Sequence, residues 1–307
     1  MSCEANPALF NSLREAGTYC ESACSSETSS IYKIDNVLFA GSTSACKEVV
    51  IATNPEYGNV LFLDKELQSS SSDEAIYHEH LVHPVLNAID ESNLRVLIVG
   101  GGEGATAREV LKWSSVSQVV WIDIDQALVN LCRRHLAWAN DDVYNDTRLT
   151  FQAQNILEYL ESDCGFFDIM ILDLPDPDTD SLLAATEGSP PQLYDSMFWA
   201  LLKQRLKEGG AVASHTGPIQ PGGDPDTRRA GLSWIQKMAH EHLGSRGHAY
   251  HVGIPSFQSE WGFWMSCAPA DHDHFPAEAI VMDPDTQKYA FTWPSYWNSS
   301  FIGLVIP

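Results

Sequence analysis

Leu94 to Asp125, LRVLIVGGGEGATAREVLKWSSVSQVVWIDID, is the stretch whose reading decides the fold. An apolar run from Arg95 to Val99 predicts a buried strand, and the glycines that follow predict a tight turn over Gly100 to Gly104. Ala105 to Trp113 has helical character, and Gln118 to Ile122 predicts a second strand that ends at Asp123. Strand, turn, helix and strand make one βαβ unit. Gly100, Gly101 and Gly102 lack a Cβ, so the chain can reverse sharply there and a bound molecule can approach the backbone. An acid about 20 residues beyond the glycines suits the two hydroxyls of a ribose.

A dinucleotide site would set a pyrophosphate on the mouth of the helix. Here Glu103 stands at that mouth, between Gly102 and Gly104. An acid repels phosphate and attracts a cation, so the turn favours a nucleoside with a positive centre and no phosphates. S-adenosylmethionine, or its decarboxylated form, meets that description better than NAD.

Outward from this unit, 307 residues can bury a full core and are long for one compact domain. A hydrophobic content of 44% excludes wholesale disorder, and no apolar run is long enough to cross a bilayer. The 18 basic residues against 41 acidic ones leave a formal charge of −23, a surface that repels nucleic acid. Such acidity keeps a protein soluble, and it also draws in cations such as polyamines. Seven cysteines without a C-x-x-C pair, behind a polar N-terminus, read as reduced thiols of a cytoplasmic protein.

Residues 1–29 read as a loosely attached arm holding one short helix, Pro7 to Ala16. Residues 30–72 alternate in short β-rich runs joined by turn residues and predict a small antiparallel β domain. Residues 73–307 are expected to form the catalytic domain. Its first helix is capped by Ser72 or Asp73 and kinked or ended by Pro84. Glu79, His80 and His83 on that helix read as surface or core groups, and no metal site is expected. Asp125 is placed to cap a helix from Gln126 to Trp138. Later, Leu193 to Leu206 reads as a helix stopped by Gly209 and Gly210, with a strand from Ala211 to His215.

The strand Phe167 to Leu172 runs into Asp173-Leu174-Pro175-Asp176-Pro177. In a parallel sheet, ligands gather beyond the carboxyl ends of the strands, and Asp123 and Asp173 both stand at such ends. The prolines stiffen the loop and hold two carboxylates over one rim. An ordinary Asp-Pro turn has the same spelling; beside a sulfonium-nucleoside site the segment becomes a candidate amine site. The acidic stretch from Asp178 to Pro191 reads as a lid.

Three stretches together resemble the polyamine aminopropyltransferases, the family of spermidine, spermine and thermospermine synthases: GNVLFLDKELQSSSSDEAIYHEHLVHP (58–84), GGGEGATARE (100–109) and DLPDP (173–177). The likeness runs roughly from Ser30 to Gly262, and IDQALVNLCRRHL and IPSFQSEWGFW are most similar to thermospermine synthases. It implies a Rossmann-like methyltransferase fold of α/β class with a small N-terminal antiparallel β domain, usually as a homodimer. It implies decarboxylated S-adenosylmethionine as co-substrate and a polyamine as partner, with spermidine the expected acceptor.

Residue by residue, the resemblance implies that Gln68 contacts the nucleoside, Asp123 the ribose and Glu103 the aminopropyl ammonium, with Gly100, Gly101, Gly102 and Gly104 forming the turn. Tyr77, Asp173 and Asp176 would meet the attacking polyamine, with His78 and Trp261 beside it. Asn155 stands where the family often has an Asp that accepts from the adenine amino group. His215-Thr216-Gly217-Pro218 replaces Q-A-G-P, and four serines precede Asp73 in place of charged residues. A second reading keeps the scaffold and transfers a methyl or aminocarboxypropyl group from intact S-adenosylmethionine; Arg108, one turn beyond Glu103, is the nearest cation for that donor's carboxylate.

Overall fold

The computed structural model describes residues 3–22, 29–140, 142–177, 179–184, 192–219, 230–270 and 274–293. The N-terminal part comprises β1 (Glu4–Ala5), α1 (Pro7–Ala16), β2 (Thr18–Ser22), β3 (Ser29–Lys33), β4 (Asn36–Ser42), β5 (Val49–Asn54), β6 (Gly58–Leu63) and β7 (Glu66–Ser70). Five of its strands form an antiparallel sheet in the order β1-β4-β5-β6-β7, and β2 pairs with β3 as a separate hairpin. Strand β5 is buried along almost its whole length, between neighbours on both sides.

The expected loose arm is in fact integrated. Glu4 and Ala5 pair with Ser42 and Gly41, Leu13 and Tyr19 are buried, and the Tyr19 hydroxyl donates to Glu48. Helix α1 matches its expected span: Asn6 accepts from the Leu9 N–H, Pro7 opens it, and Gly17 ends it in the left-handed conformation. Polar composition hid a segment in which Leu13, Tyr19 and Tyr32 reach the core.

The second part follows as α2 (Glu74–Asn87), β8 (Leu94–Gly100), α3 (Ala105–Leu111), β9 (Val116–Asp123), α4 (Gln126–His135), α5 (Ala137–Asn140), β10 (Leu149–Ala153), α6 (Ile156–Glu161), β11 (Phe167–Asp173), α7 (Thr179–Ala184), α8 (Ser196–Arg205), β12 (Leu206–Ile219), α9 (Ala230–Leu243), β13 (His248–Ile254), β14 (Ser259–Met265) and α10 (Pro284–Ala290). Its sheet runs β10-β9-β8-β11-β12-β14-β13. The first five of these strands are parallel, and β14 joins antiparallel between β12 and β13. This is the Rossmann-like arrangement with a small antiparallel domain ahead of it. The strand order reverses between β8 and β11, where Gly100 lies opposite Asp173.

Alternation along the central strands splits the core between the two faces. Val96 and Ile98 join Leu81, Val85 and Val110 of the α2–α3 face; Leu97 and Val99 join Leu160, Phe198 and Leu202 of the α6–α8 face. Each such side chain contributes about 1.5–3 kcal/mol on burial.

Four local expectations are corrected. Pro84 does not end α2, which continues to Asn87. Proline leaves the carbonyl four residues earlier without its helical donor, and the Tyr250 hydroxyl supplies one to His80 O at 2.8 Å. Asp73 precedes α2 without capping it, because its carboxylate accepts from Ser70 Oγ and from the backbone and hydroxyl of Ser256. Helix α8 begins after an Asp195 cap and stops at Arg205, not at the glycine pair. Lys207 to Gly210 belong to β12, which is drawn along the edge of β11 from Leu206 to Ile219. Of the expected lid, 179–184 form α7; residues 178 and 185–191 lie outside the described residues.

Candidate active site

The glycine turn joins β8 to α3 at the strand-order reversal. Gly100, Gly101 and Gly104 have φ values of 83°, 69° and 92°, which disfavour any other residue. The Gly101 N–H donates to Asp173 O at 2.8 Å, and a Cβ on Gly101 would lie 2.7 Å from Asp173 Oδ2. Trp121 Nε1 clamps Gly100 O at 2.7 Å, and Asn140 Nδ2 clamps Glu103 O at 2.9 Å. The rim that the turn helps to build carries Asp123, Glu103, Asp173 and Asp176.

Asp123 closes β9, and its Oδ1 accepts from the Asp125 N–H at 2.7 Å. Burial raises it, the Asp125 N–H lowers it, and the charges of Asp125, Asp173 and Glu103 raise it again, leaving its pKa at about 7. Asp125 in turn caps α4 through the N–H groups of Ala127 and Leu128, as expected.

His78 braces Glu103. Its Nε2 lies 3.2 Å from Glu103 Oε1 and its Nδ1 lies 2.9 Å from Glu74 Oε2. Burial opposes protonation of this ring, yet the two carboxylates overcome it and push the pKa up to about 10. An imidazolium between two carboxylates therefore fixes Glu103. His78 was expected among the substrate contacts; both of its ring nitrogens are turned to these acids instead.

Arg108 completes the brace by gripping both oxygens of Glu74, at 3.0 and 2.8 Å, and donating to Glu109 and to Trp138 O. Arg108, the cation one turn beyond Glu103, is thus engaged elsewhere.

Asp173 ends β11, next to Gly100. Tyr77 OH donates to its Oδ1 at 2.8 Å and Thr106 Oγ1 donates to its Oδ2. Burial, then the charge of Asp173, push the Tyr77 phenol well above its usual range, so it remains a donor. Asp176 lies beyond. Its carboxylate rests on Gly217, whose φ is +80° and where a Cβ would be 2.9 Å from Oδ2. Loss of surrounding water raises Asp176, His215 lowers it, and the negative charge of Glu66 raises it again.

Aromatic rings enclose this end of the site. Tyr77 meets Phe257, Phe263 and His215 at centroid distances of 6.2, 5.5 and 5.8 Å, and Trp261 lies over His215 with the rings 19° apart. Trp261 is therefore brought to the site.

Gln68 lies on β7 with its Nε2 donating to Glu66 O at 3.3 Å, and no hydrogen bond among the described residues joins it to the glycine turn. Asn155 caps α6, its Oδ1 accepting the Leu157 N–H at 2.9 Å and keeping a second lone pair. Sequence reasoning missed Thr106, Trp121, Asn140 and the bracing role of Glu74. Only Glu74, four residues before His78 on a helix, carried a spacing signal.

Among the described residues one trio, Glu79, His83 and Glu109, has ligand atoms close enough for a metal. Lys112 Nζ already lies 2.7 Å from Glu109 and 3.8 Å from Glu79. Glu79 also accepts from the N–H groups of Ile280, Val281 and Met282. The trio ties α2 and α3 to the segment after β14.

Comparison with known proteins decides the family. Residues 74–275 match the spermine/spermidine synthase domain, and residues 21–70 match the spermidine synthase tetramerisation domain. The chain belongs to the spermidine/spermine synthase family. It is 38% identical over 250 residues to polyamine aminopropyltransferase 2 of Pseudomonas aeruginosa, covering 81% of this chain and 67% of that protein. It is 34% identical over 254 residues to thermospermine synthase ACAULIS5 of Arabidopsis thaliana, covering 82% and 69%. Against polyamine aminopropyltransferase 2 of Bacillus cereus, at 36% identity, it spans 58% of that relative's length. A spermidine synthase crystallised with the transition-state analogue AdoDATO superposes with a TM-score of 0.79 at 22% identity, over 99% of this chain and 98% of that one. Spermidine synthase from Thermotoga maritima gives 0.78 at 20% identity with the same coverage. These two likenesses bear on the fold of this family member. Among its described residues no helix is long and apolar enough to cross a membrane.

Proposed function

We propose that this family member is an aminopropyltransferase that moves the aminopropyl group of decarboxylated S-adenosylmethionine onto a polyamine, spermidine for choice, giving thermospermine or spermine. The observation that carries the reading is the pair Tyr77–Asp173, seated on the glycine turn beside Glu103 and Asp123. Asp123 receives the ribose hydroxyls, Glu103 the aminopropyl ammonium, and Asp176 a cationic nitrogen of the acceptor farther along.

An alkylammonium, with a pKa near ~10.4, has no lone pair with which to attack carbon. Asp173 takes a proton from the acceptor nitrogen, which then attacks the methylene beside the sulfonium. A C–N bond forms, the C–S bond breaks with its electrons staying on sulfur, and methylthioadenosine leaves. Holding amine and methylene in line supplies much of the rate. The Tyr77 and Thr106 hydroxyls keep the Asp173 carboxylate aimed and stabilise its charge before the proton arrives.

The engagement of Arg108 with Glu74 weighs against the reading in which intact S-adenosylmethionine donates a methyl or aminocarboxypropyl group, since it removes the nearest partner for a donor carboxylate. The match to a tetramerisation domain supports self-association, and we carry a cytoplasmic homodimer as the working assembly, to be read by light scattering.

The test crosses each donor form with putrescine, spermidine and agmatine and reads products by mass spectrometry. Methylthioadenosine plus an aminopropylated polyamine, from the decarboxylated donor alone, supports the proposal. Transfer from the intact donor alone would refute it.

A further inference from the structure

Asp123 is held by a residue two positions on. Its Oδ1 accepts the Asp125 N–H at 2.7 Å, and its Oδ2 faces Gly102, where a Cβ would lie 3.3 Å away. Asp125 is buried, and its two oxygens are divided between two partners. Oδ1 accepts the N–H groups of Ala127 and Leu128 at 3.0 and 3.1 Å, which ties it to the start of α4. Oδ2 accepts from the hydroxyl of Thr43, 82 residues earlier in the chain.

Thr43 lies on the turn between β4 and β5, in the N-terminal part of the molecule. The turn is closed on itself: the Thr43 N–H donates to Cys46 O at 2.9 Å, and Thr43 Oγ1 accepts the Cys46 N–H at 3.0 Å. Val49, Ile51 and Leu61 of β5 and β6 pack with Leu128, Leu131 and Cys132 of α4. A fixed turn on a packed interface therefore presents the hydroxyl to Asp125.

We infer that Thr43 is a positioning residue for the nucleoside end of the reaction: by donating to Asp125 it fixes the N–H that Asp125 gives to Asp123 and offsets the Asp125 charge, and so keeps Asp123 an anion for the ribose hydroxyls. The inference rests on the functional reading above and deepens its donor end.

Two effects of losing the hydroxyl act in one direction. Asp125 would be pinned through Oδ1 alone, so its N–H would bond Asp123 less well. Its Oδ2, without a donor, would also set an undamped negative charge beside Asp123. Each favours the protonated form of Asp123. The other ionisable groups around Asp123 are Glu103 on the glycine turn, Asp173 at the end of β11, Cys132 on α4, Tyr144 after α5 and Cys46 on the Thr43 turn. Burial pushes both thiols and the phenol above their usual ranges, so they stay neutral between pH 6 and 9.

The experiment measures methylthioadenosine affinity of the full chain by calorimetry from pH 6 to 9. It compares the wild type, Thr43→Ser, Thr43→Val, Thr43→Ala, Asp123→Asn and the Asp123→Asn/Thr43→Val double variant. Expected in Thr43→Val are a rise of affinity centred about one pH unit higher, about fivefold weaker binding at pH 7, and affinity within about twofold of the wild type at pH 9. Thr43→Ser should keep the wild-type profile, and Thr43→Ala should follow Thr43→Val. In the Asp123→Asn background Thr43→Val should change affinity by less than about twofold, because it acts through that carboxylate. An unchanged profile in Thr43→Val and Thr43→Ala would overturn the inference, as would a Thr43→Ser variant no better than Thr43→Val. A loss equal at every pH, or one that persists in the Asp123→Asn background, would assign Thr43 to holding the fold and equally overturn it. If the wild type binds methylthioadenosine in this pattern yet transfers nothing from the decarboxylated donor, the assignment of Thr43 stands and the functional reading fails. A wild type that binds no methylthioadenosine overturns both.

Discussion

The hydroxyl of Tyr77 and Oδ1 of Asp173 are hydrogen-bonded at 2.8 Å although 96 residues separate them in the chain. Tyr77 comes from the helix that links the two parts of the molecule, and Asp173 from the end of a central strand. Replacing Asp173 with Asn removes the base, and kcat for methylthioadenosine release should fall by at least about a hundredfold. Tyr77→Phe keeps the base and removes one donor, and should lower kcat about tenfold. Equal losses in the two variants would contradict this division of labour.

The carboxylates of Asp173 and Asp176 both rest on left-handed glycines, and the same substitution tests both seats. In Gly101→Ala a Cβ would come 2.7 Å from Asp173 Oδ2, and in Gly217→Ala 2.9 Å from Asp176 Oδ2. Gly209, with φ +77°, has nothing within 4 Å of such a Cβ and reports the backbone strain alone. All three alanine variants should lose about 1 kcal/mol in urea unfolding. Only Gly101→Ala and Gly217→Ala should also lose at least about tenfold in kcat/KM.

The pKa of Asp123, at about 7 in the fold against an ordinary 3.8, makes ligand-free stability and nucleoside binding respond oppositely to pH. Between these values the folded chain holds a proton that the unfolded chain has released. The Asp123 contribution to stability therefore falls as pH rises through that window and levels off above about 7. A ribose prefers the ionised carboxylate, so methylthioadenosine affinity should rise from pH 6 to 8. Calorimetric titration across that range checks it, and Asp123→Asn should flatten the profile.

His78 acts in the same direction, in a higher window. Its pKa of about 10, above the ordinary 6.5, means a contribution to stability that is complete below about 6.5 and is lost as pH climbs toward 10. His78→Ala leaves Glu103 without its cation and should cost about 3 kcal/mol in urea unfolding at pH 6. The deficit should shrink by pH 9.5. A pH-independent deficit would mean that packing, and not charge, holds the ring.

The glycine turn, Asp123 and the DLPDP loop were legible because each is a local pattern: a strand, a residue type the backbone demands, and an acid at a strand end. The Asp125 cap and helix α1 were legible for the same reason. Thr106, Trp121 and Asn140 were not, since each acts on a partner distant in sequence, and nothing in a threonine one residue into a helix announces a carboxylate 67 positions later. For Asn155 and His78 the positions were read, while the local partners their side chains hold, the Leu157 N–H and Glu74, came only with the fold.

By itself the sequence determined the α/β class, the glycine turn after the first central strand and the identities of the acids on the rim, because periodicity and glycine conformational freedom act over a few residues. Only the tertiary structure decided which acids are braced and which cation is already engaged. Those depend on side-chain atoms meeting across strands and helices, where a difference of an ångström separates a hydrogen bond from none.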